Sequence, residues 1–334
     1  MKLNIKTSVA VAGKCLATPC LPWLRKSQEP ESMVGTKVYP KFSARGRLER
    51  DRKRYDELED IYDHCPDECP YCHSKSIRHY GYIPSNHRRR YQCKECHRTF
   101  AGSYGTIYYR GRLDQREVRT LLDSLVLSTT VIASAKEVSV SKNTAMRYRR
   151  IFLGFVEKAD KKPVLSGDGV QVDETYLTLY GMIGKDPKKK GISDQKEGIA
   201  IGTDATNKVC LKDIGPGHPK SKTLKETWEG KIAEGSTLTH DSLHGYQGAF
   251  ESSNPKKENW INSQKPDEEV KLDHINQLCS GVKWFLRKHH GIRKANLDSY
   301  LCWYETLFNL DPSETEFESL VLGNILQKKP EINT

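Results

Sequence analysis

Gly169-Val170-Gln171-Val172-Asp173-Glu174-Thr175-Tyr176 alternates apolar and polar side chains with a period of two. That is the pattern of a β-strand with one face turned to a core. Downstream, Gly198–Thr203, Lys208–Ile214 and Thr237–Asp241 read as further strands. Ser221 is placed to cap a helix that carries Leu224, Trp228 and Ile232 on one face. Ile275, Leu278, Cys279, Val282, Phe285 and Leu286 recur at i, i+3, i+4, i+7, i+10 and i+11, which makes an amphipathic helix. Leu297, Leu301, Tyr304 and Phe308 mark a last one. Strands first, then strands alternating with helices, predict a mixed α/β domain over residues 165–310.

The same stretch holds a charge in an expensive place. Asp173 sits mid-strand, and a carboxylate among apolar strand residues is costly to bury unless it is paired or holds a cation. Asp241 closes a later strand, 68 positions on. Carboxylates meeting on neighbouring strands suit Mg²⁺ or Mn²⁺, hard ions that prefer oxygen ligands. Two such ions can activate an attacking oxygen and steady a leaving one in phosphodiester displacement. A third contributor is expected from the helix opposite. Asn276 lies 35 positions after Asp241, and Lys283 seven further on shares its face. An amide oxygen can ligate and a lysine can hold a phosphate. Strand-end acids also serve as caps and salt-bridge partners, and the pattern alone leaves both roles open.

Upstream of a Lys-Lys-Pro linker at 161–163 the pattern is helical. Helices are expected over Leu113–Leu127, Ile132–Val138 and Lys142–Phe155, with Ser139-Val140-Ser141 as the turn before the last. This is a helix-turn-helix pattern over residues 111–160. Its third helix would enter the major groove, with Lys142, Asn143, Thr144 and Arg147 near base edges and Arg149 and Arg150 on phosphates. Packing of three helices without DNA gives the same pattern.

Before these helices, residues 63–110 hold Cys69-Pro-Tyr-Cys72 and Cys93-Lys-Glu-Cys96, two Cys-x-x-Cys pairs twenty residues apart. Each pair aims two thiolates at one point, and two such turns complete a closed, structural Zn²⁺ site of the zinc-ribbon kind. Arg88, Arg89 and Arg90 fall between the pairs, on a loop suited to phosphate contact. Five of the ten cysteines crowd into this module, whereas a secreted disulfide scaffold would spread them through a smaller chain.

Charge follows the same division. Residues 1–165 carry 32 basic and 18 acidic side chains, and residues 166–334 carry 22 and 25. A front half at +14 and a rear half at −3 separate a polyanion-binding part from a part with another task. No window offers the ~18 uninterrupted apolar residues of a membrane span, so a cytoplasmic, nucleoid-associated protein without membrane contact is expected. Residues 1–62 read as a loose or charged extension, with Arg47 to Tyr62 a short charged helix, and 311–334 as a tail.

Taken in order, these features resemble a family. The cysteine module, Cys96-His-Arg-Thr-Phe100, Gly105-Thr-Ile107, the helix-turn-helix, Val172-Asp-Glu-Thr-Tyr176, His240-Asp241 and Ile275-Asn-Gln-Leu-Cys-Ser-Gly-Val-Lys283 are similar to the insertion-sequence DDE-type transposases with an N-terminal zinc ribbon, the group related to Merlin transposons. The likeness runs from about Cys65 to Phe308. It implies an RNase H-like fold, Mg²⁺-dependent cleavage at terminal inverted repeats, and strand transfer into target DNA by the freed 3′-hydroxyl. It also implies a homo-oligomer that bridges two DNA ends in a synaptic complex. Asp173 matches the first acid, Asp241 the second, and Asn276 with Lys283 the third position of a D-D-N/K variant. Cys279 departs from the bulky aromatic of many relatives. The competing expectation is an inactive or domesticated copy that keeps the zinc and the DNA-reading helices as a sequence-specific regulator. A two-metal hydrolytic nuclease is the other.

Overall fold

Three short strands, β1 (Ile77–Tyr82), β2 (Arg89–Cys93) and β3 (Thr99–Ala101), pair antiparallel in that order in the computed structural model, which describes residues 65–85, 88–109, 111–159, 163–180, 191–241, 244–261 and 272–309. The expected extension over 1–62, its charged helix and the tail over 311–334 lie outside the described residues. Arg89 and Arg90 correct the reading of a loop between the cysteine pairs. They belong to β2, where Arg90 pairs with Ala101 and Tyr91 with Phe100. Tyr91 and Cys93 turn inward at strand spacing. Among the described residues the buried apolar interior of this sheet is Cys69, Tyr91, Cys93 and Phe100.

Helices α1 (Gln115–Val126), α2 (Val131–Glu137) and α3 (Lys142–Ala159) follow. Helix α1 starts two residues later than its apolar pattern because Asp114 is its cap. The Asp114 carboxylate accepts the Glu117 N–H at 2.8 Å and the Glu117 carboxylate accepts the Asp114 N–H at 2.7 Å, a closed capping box. Ser139 reverses the chain in left-handed backbone (φ 58°), and the Ser141 hydroxyl accepts the Thr144 N–H at 3.1 Å to start α3.

The rear half is a five-stranded mixed sheet flanked by helices. Its elements are β4 (Asp168–Leu177), β5 (Glu197–Thr203), β6 (Val209–Pro216), α4 (Ser221–Trp228), β7 (Thr237–Asp241), β8 (Lys257–Ile261), α5 (Asp273–Lys288) and α6 (Leu297–Asn309). The strand order is β6-β5-β4-β7-β8, with the first three antiparallel and β7 and β8 parallel to β4 and to each other. Ser221 opens α4 without capping it; the cap position is Lys220, which makes no side-chain cap bond. Nothing in Lys257-Glu-Asn-Trp-Ile261 announces β8. Its side chains are exposed or half-buried, as an edge strand's are, and backbone pairing with β7 alone makes it a strand.

Alternation along β4 sorts two cores. Val170 and Val172 join Ala200, Leu238, Trp228, Tyr246 and Phe250 on the α4 face. On the other face Ile199, Ile201, Val209 and Leu211 pack with α5 and α6, and that cluster continues without a break into α1–α3. Strand β5 is therefore buried along its whole length. Gly202 of β5 has to be glycine. A Cβ there would sit 2.7 Å from both the Trp228 ring and Leu165. Gly202→Ala is expected to cost about 1–3 kcal/mol by overpacking, read as a lower urea midpoint at unchanged slope. Among the described residues no helix is long and apolar enough to cross a membrane.

Candidate functional site

The two Cys-x-x-Cys turns are built alike. The Cys69 N–H bonds to the Ser74 carbonyl at 2.8 Å and the His73 N–H to the Cys69 carbonyl at 2.9 Å; Cys93 with Arg98, and His97 with Cys93, repeat both bonds at 3.1 Å. His73 and His97, each directly after its pair, end the turn in left-handed backbone at φ 59° and 60°. This brings the sulfurs of Cys69, Cys72, Cys93 and Cys96 within 4.8 Å of one another. Cys69 and Cys96 are 3.6 Å apart and Cys72 and Cys93 3.5 Å. A tetrahedral zinc with bonds near ~2.3 Å spaces its sulfurs by roughly 3.8 Å, whereas a disulfide needs about 2.0 Å, so the donor set fits the ion. The N–H groups of Cys96 and Glu95 point at the Cys93 sulfur at 3.5 and 3.4 Å. Foremost through the first of these, the Cys93 thiol is drawn down to about 6, while the Cys72 thiol beside it is pushed up to about 12, as when one proton is shared across a close sulfur pair. His73 bonds Glu68 at 3.0 Å instead, and Cys65 is exposed outside the cluster.

A second cluster forms where β4 and β7 run side by side. Their parallel ladder extends to Gln171 opposite Thr239, so Asp173 and Asp241 come two residues further along neighbouring strands, on one face. Asp173, Asp241 and Glu174 carry oxygens within 4.8 Å of one another. Asp173 turns towards α5, where it accepts the Cys279 thiol at 3.7 Å. Its other oxygen accepts the Glu174 N–H at 2.8 Å. Burial raises the Asp173 pKa, and the charge of Asp241 adds to the rise while Lys283 opposes it. Glu174, next along the strand, turns to the α4 face and lies beside the buried hydroxyl of Tyr246. It is pushed up to about 8, by burial first and then by the charges of Asp241 and Asp173. Three carboxyls this close, two of them shifted upward, describe a place that lacks positive charge. A divalent ion with oxygen ligands fits them.

The helix opposite contributes unequally. Lys283 is half-buried and acts on Asp173 across the gap. Asn276 is exposed one turn before Cys279, and among the described residues its side chain bonds neither aspartate. Cys279 touches Asp173 in its stead. At the end of β7, His240 sets one ring nitrogen 2.5 Å from the Asp241 carbonyl and the other 2.8 Å from the Glu258 carboxylate. Strand β8 thereby holds the end of β7 that carries Asp241.

On α3, Lys142, Asn143, Arg147 and Arg150 are exposed; Thr144 is half-buried with its hydroxyl 2.9 Å from that of Ser141. Arg149 corrects the sequence reading. It is buried, donates to the Thr129 carbonyl at 2.7 Å, and lies over the Trp303 ring at 5.4 Å, so it cannot anchor a phosphate. Its place in the sequence matches Arg150, but i+3 spacing from Met146 and i−3 from Phe152 turn it to the core.

No family model matches the chain. It is similar to an uncharacterized protein in transposable element ISH50 of Halobacterium salinarum, 25% identical over an alignment of 249 residues that covers 70% of this chain and 82% of that protein.

Glu174 is the member of the acidic cluster that sequence reasoning passed over. In an alternating strand it belongs to the face opposite Asp173, yet in the folded sheet both carboxyls lie within 4.8 Å of that of Asp241. A carboxyl raised on folding stabilises the protein below its unfolded value and loses that contribution as pH climbs through its folded value. Without divalent cations, stability is expected to fall between about pH 5 and pH 8, and Glu174→Gln to recover roughly 2–4 kcal/mol at the upper end. Urea melts at the two ends of that range read it. Equal pH dependence in both proteins would remove Glu174 from the buried cluster.

Proposed function

We propose that the protein is a DDE-type transposase whose rear half has the RNase H-like fold and performs metal-dependent cleavage and strand transfer on DNA. The observation that carries this reading is the convergence of Asp173 and Asp241, from parallel neighbouring strands, with Glu174 on one point. The strand order β6-β5-β4-β7-β8, with three antiparallel strands followed by two parallel ones, supports the fold. Similarity to a protein in a transposable element supports the setting.

In this reading Asp173 and Asp241 hold the divalent ions, with Glu174 as third carboxylate and Asn276 available from the helix. Bound there, the ions supply positive charge at the scissile phosphate and a lowered proton affinity for the attacking oxygen. Lys283 stands on the helix opposite to orient a phosphate. No serine, cysteine or tyrosine nucleophile is required, because water and then a DNA 3′-hydroxyl attack directly. The front half binds the element ends: the four cysteines fold the ribbon around Zn²⁺, and α3 presents Lys142, Asn143, Thr144, Arg147 and Arg150, with Arg88, Arg89 and Arg90 as backbone contacts. Two ends must be held at once, so a homo-oligomer is part of the reading.

The test is incubation with Mg²⁺ and a labelled duplex carrying the element's ends. Nicking at the end followed by joining into a second duplex is the expected result. Nicking without joining identifies a hydrolytic nuclease, and specific binding without nicking identifies a DNA-binding regulator.

A further inference from the structure

Helix α3 leaves an open flank towards the rear half. A cleft of about 530 Å³ separates it from the segment that runs from His290 to Tyr300 ahead of and into α6. Lys142 and Arg150 of α3 line one wall and Arg293 the other. All three are exposed. Among the described residues none of them is in an ion pair, and the side chain of Arg293 lies 6.0 Å from the ring of Tyr180. Glu157 and Asp298 also line the cleft. Arg149 in the floor is taken up by Thr129 and Trp303, so three exposed cations face two acids. Like charges collected in a concavity without matching counter-charges raise its positive potential and favour an anion.

The width of this cleft is fixed by packing. Arg149 reaches from α3 to Thr129 on one side and Trp303 of α6 on the other. One apolar cluster joins α3 to α5 and α6 beneath it. The wall carrying Arg293 therefore cannot drift away from the wall carrying Lys142. On α3, Asn143, Arg147 and Arg150 fall at i, i+4 and i+7 and make one outward stripe, and the cleft lies along its side. A strand of a duplex read by that stripe would pass along this flank.

We propose that the cleft between α3 and the His290–Tyr300 segment grips the phosphodiester backbone of duplex DNA, with Arg293 as the rear half's contact. The proposal rests on the DNA-binding reading above and adds a site to it. The ligand is backbone, so the grip carries no sequence preference.

Arg293→Glu in the full-length protein tests it, with Lys212→Glu, an exposed change of equal charge on β6, as control. Binding of a random-sequence 30-base-pair duplex is followed by fluorescence anisotropy across a salt series. Removing one cation from the phosphate backbone lowers the salt slope by about 0.9 and weakens binding several-fold near ~0.1 M salt. The expected result is that weakening for Arg293→Glu, equal on random and end-bearing duplex, with near-wild-type binding by Lys212→Glu and unchanged thermal melting of both. A weakening no greater than that of Lys212→Glu overturns the cleft while leaving DNA binding by α3 intact. No duplex binding by the wild type overturns the DNA-binding reading and the cleft with it.

Discussion

Asp173→Asn is expected to lower metal-dependent DNA cleavage by at least about a thousandfold, the scale on which removal of a key charge-stabilising group acts, while leaving DNA binding within twofold of wild type. The substitution keeps the shape of the side chain. Its oxygen can still accept the Glu174 N–H, which holds Asp173 at 2.8 Å. What disappears is one ionisable carboxyl of the three, the others being Asp241 and Glu174, that converge there. The metal-free protein should therefore be slightly more stable, because burial and the Asp241 charge both hold the Asp173 carboxyl above its ordinary range. Nothing in α3 or the cysteine module touches this residue, so end binding measures folding of the rest. Cleavage is read on an end-labelled oligonucleotide with Mg²⁺ and again with Mn²⁺. Activity retained within tenfold of wild type, with either ion, would remove Asp173 from the metal site and take the DDE assignment with it.

How much of the molecule is legible in its sequence differs from element to element for physical reasons. Strands β4, β5, β6 and β7 have core faces, so their alternation or apolar runs show in the sequence, and their bounds fall within two residues of those expected. Helix α5 is set by the recurrence from Ile275 to Leu286, all of which is buried. Strand β8 has no core face and leaves no trace in the pattern. The cysteine pairs are legible because metal ligation dictates spacing. The third member of the acidic cluster is not, because alternation assigns Glu174 to the face opposite Asp173, and only the folded sheet brings both carboxyls within 4.8 Å of that of Asp241. Arg149 shows the same limit from the other side: in the sequence it is one basic residue among several on α3, and only packing against Thr129 and Trp303 separates it from Arg150.

Loss of the cysteine-bound ion should unfold the three-stranded sheet and spare the five-stranded one. The small sheet buries only Cys69, Tyr91, Cys93 and Phe100, with Ile77, Cys96 and Tyr104 packed against them. An interior of that size does not offset the conformational entropy of the segment it must order. Four thiolates on Zn²⁺ supply apparent binding energies of roughly 10–16 kcal/mol in comparable small modules, and that energy is folding energy. Cys93→Ser removes the ligand whose thiol is already drawn towards ionisation by the Cys96 N–H. It puts a hydroxyl where a soft thiolate is required. The expected outcome is one zinc per chain in the wild type by elemental analysis and none retained in the variant after dialysis. Amide exchange over β2 and β3 should rise to the rate of an unfolded chain. Amides of β5, buried along its whole length, should keep their protection. The buried residues of the small sheet and of the large core form separate clusters, so melting of the small sheet removes nothing from the large one. Slow exchange in β2 of the metal-free variant would mean that side-chain packing alone folds the module, and the four sulfurs, though 3.5 and 3.6 Å apart in pairs, would then be incidental neighbours.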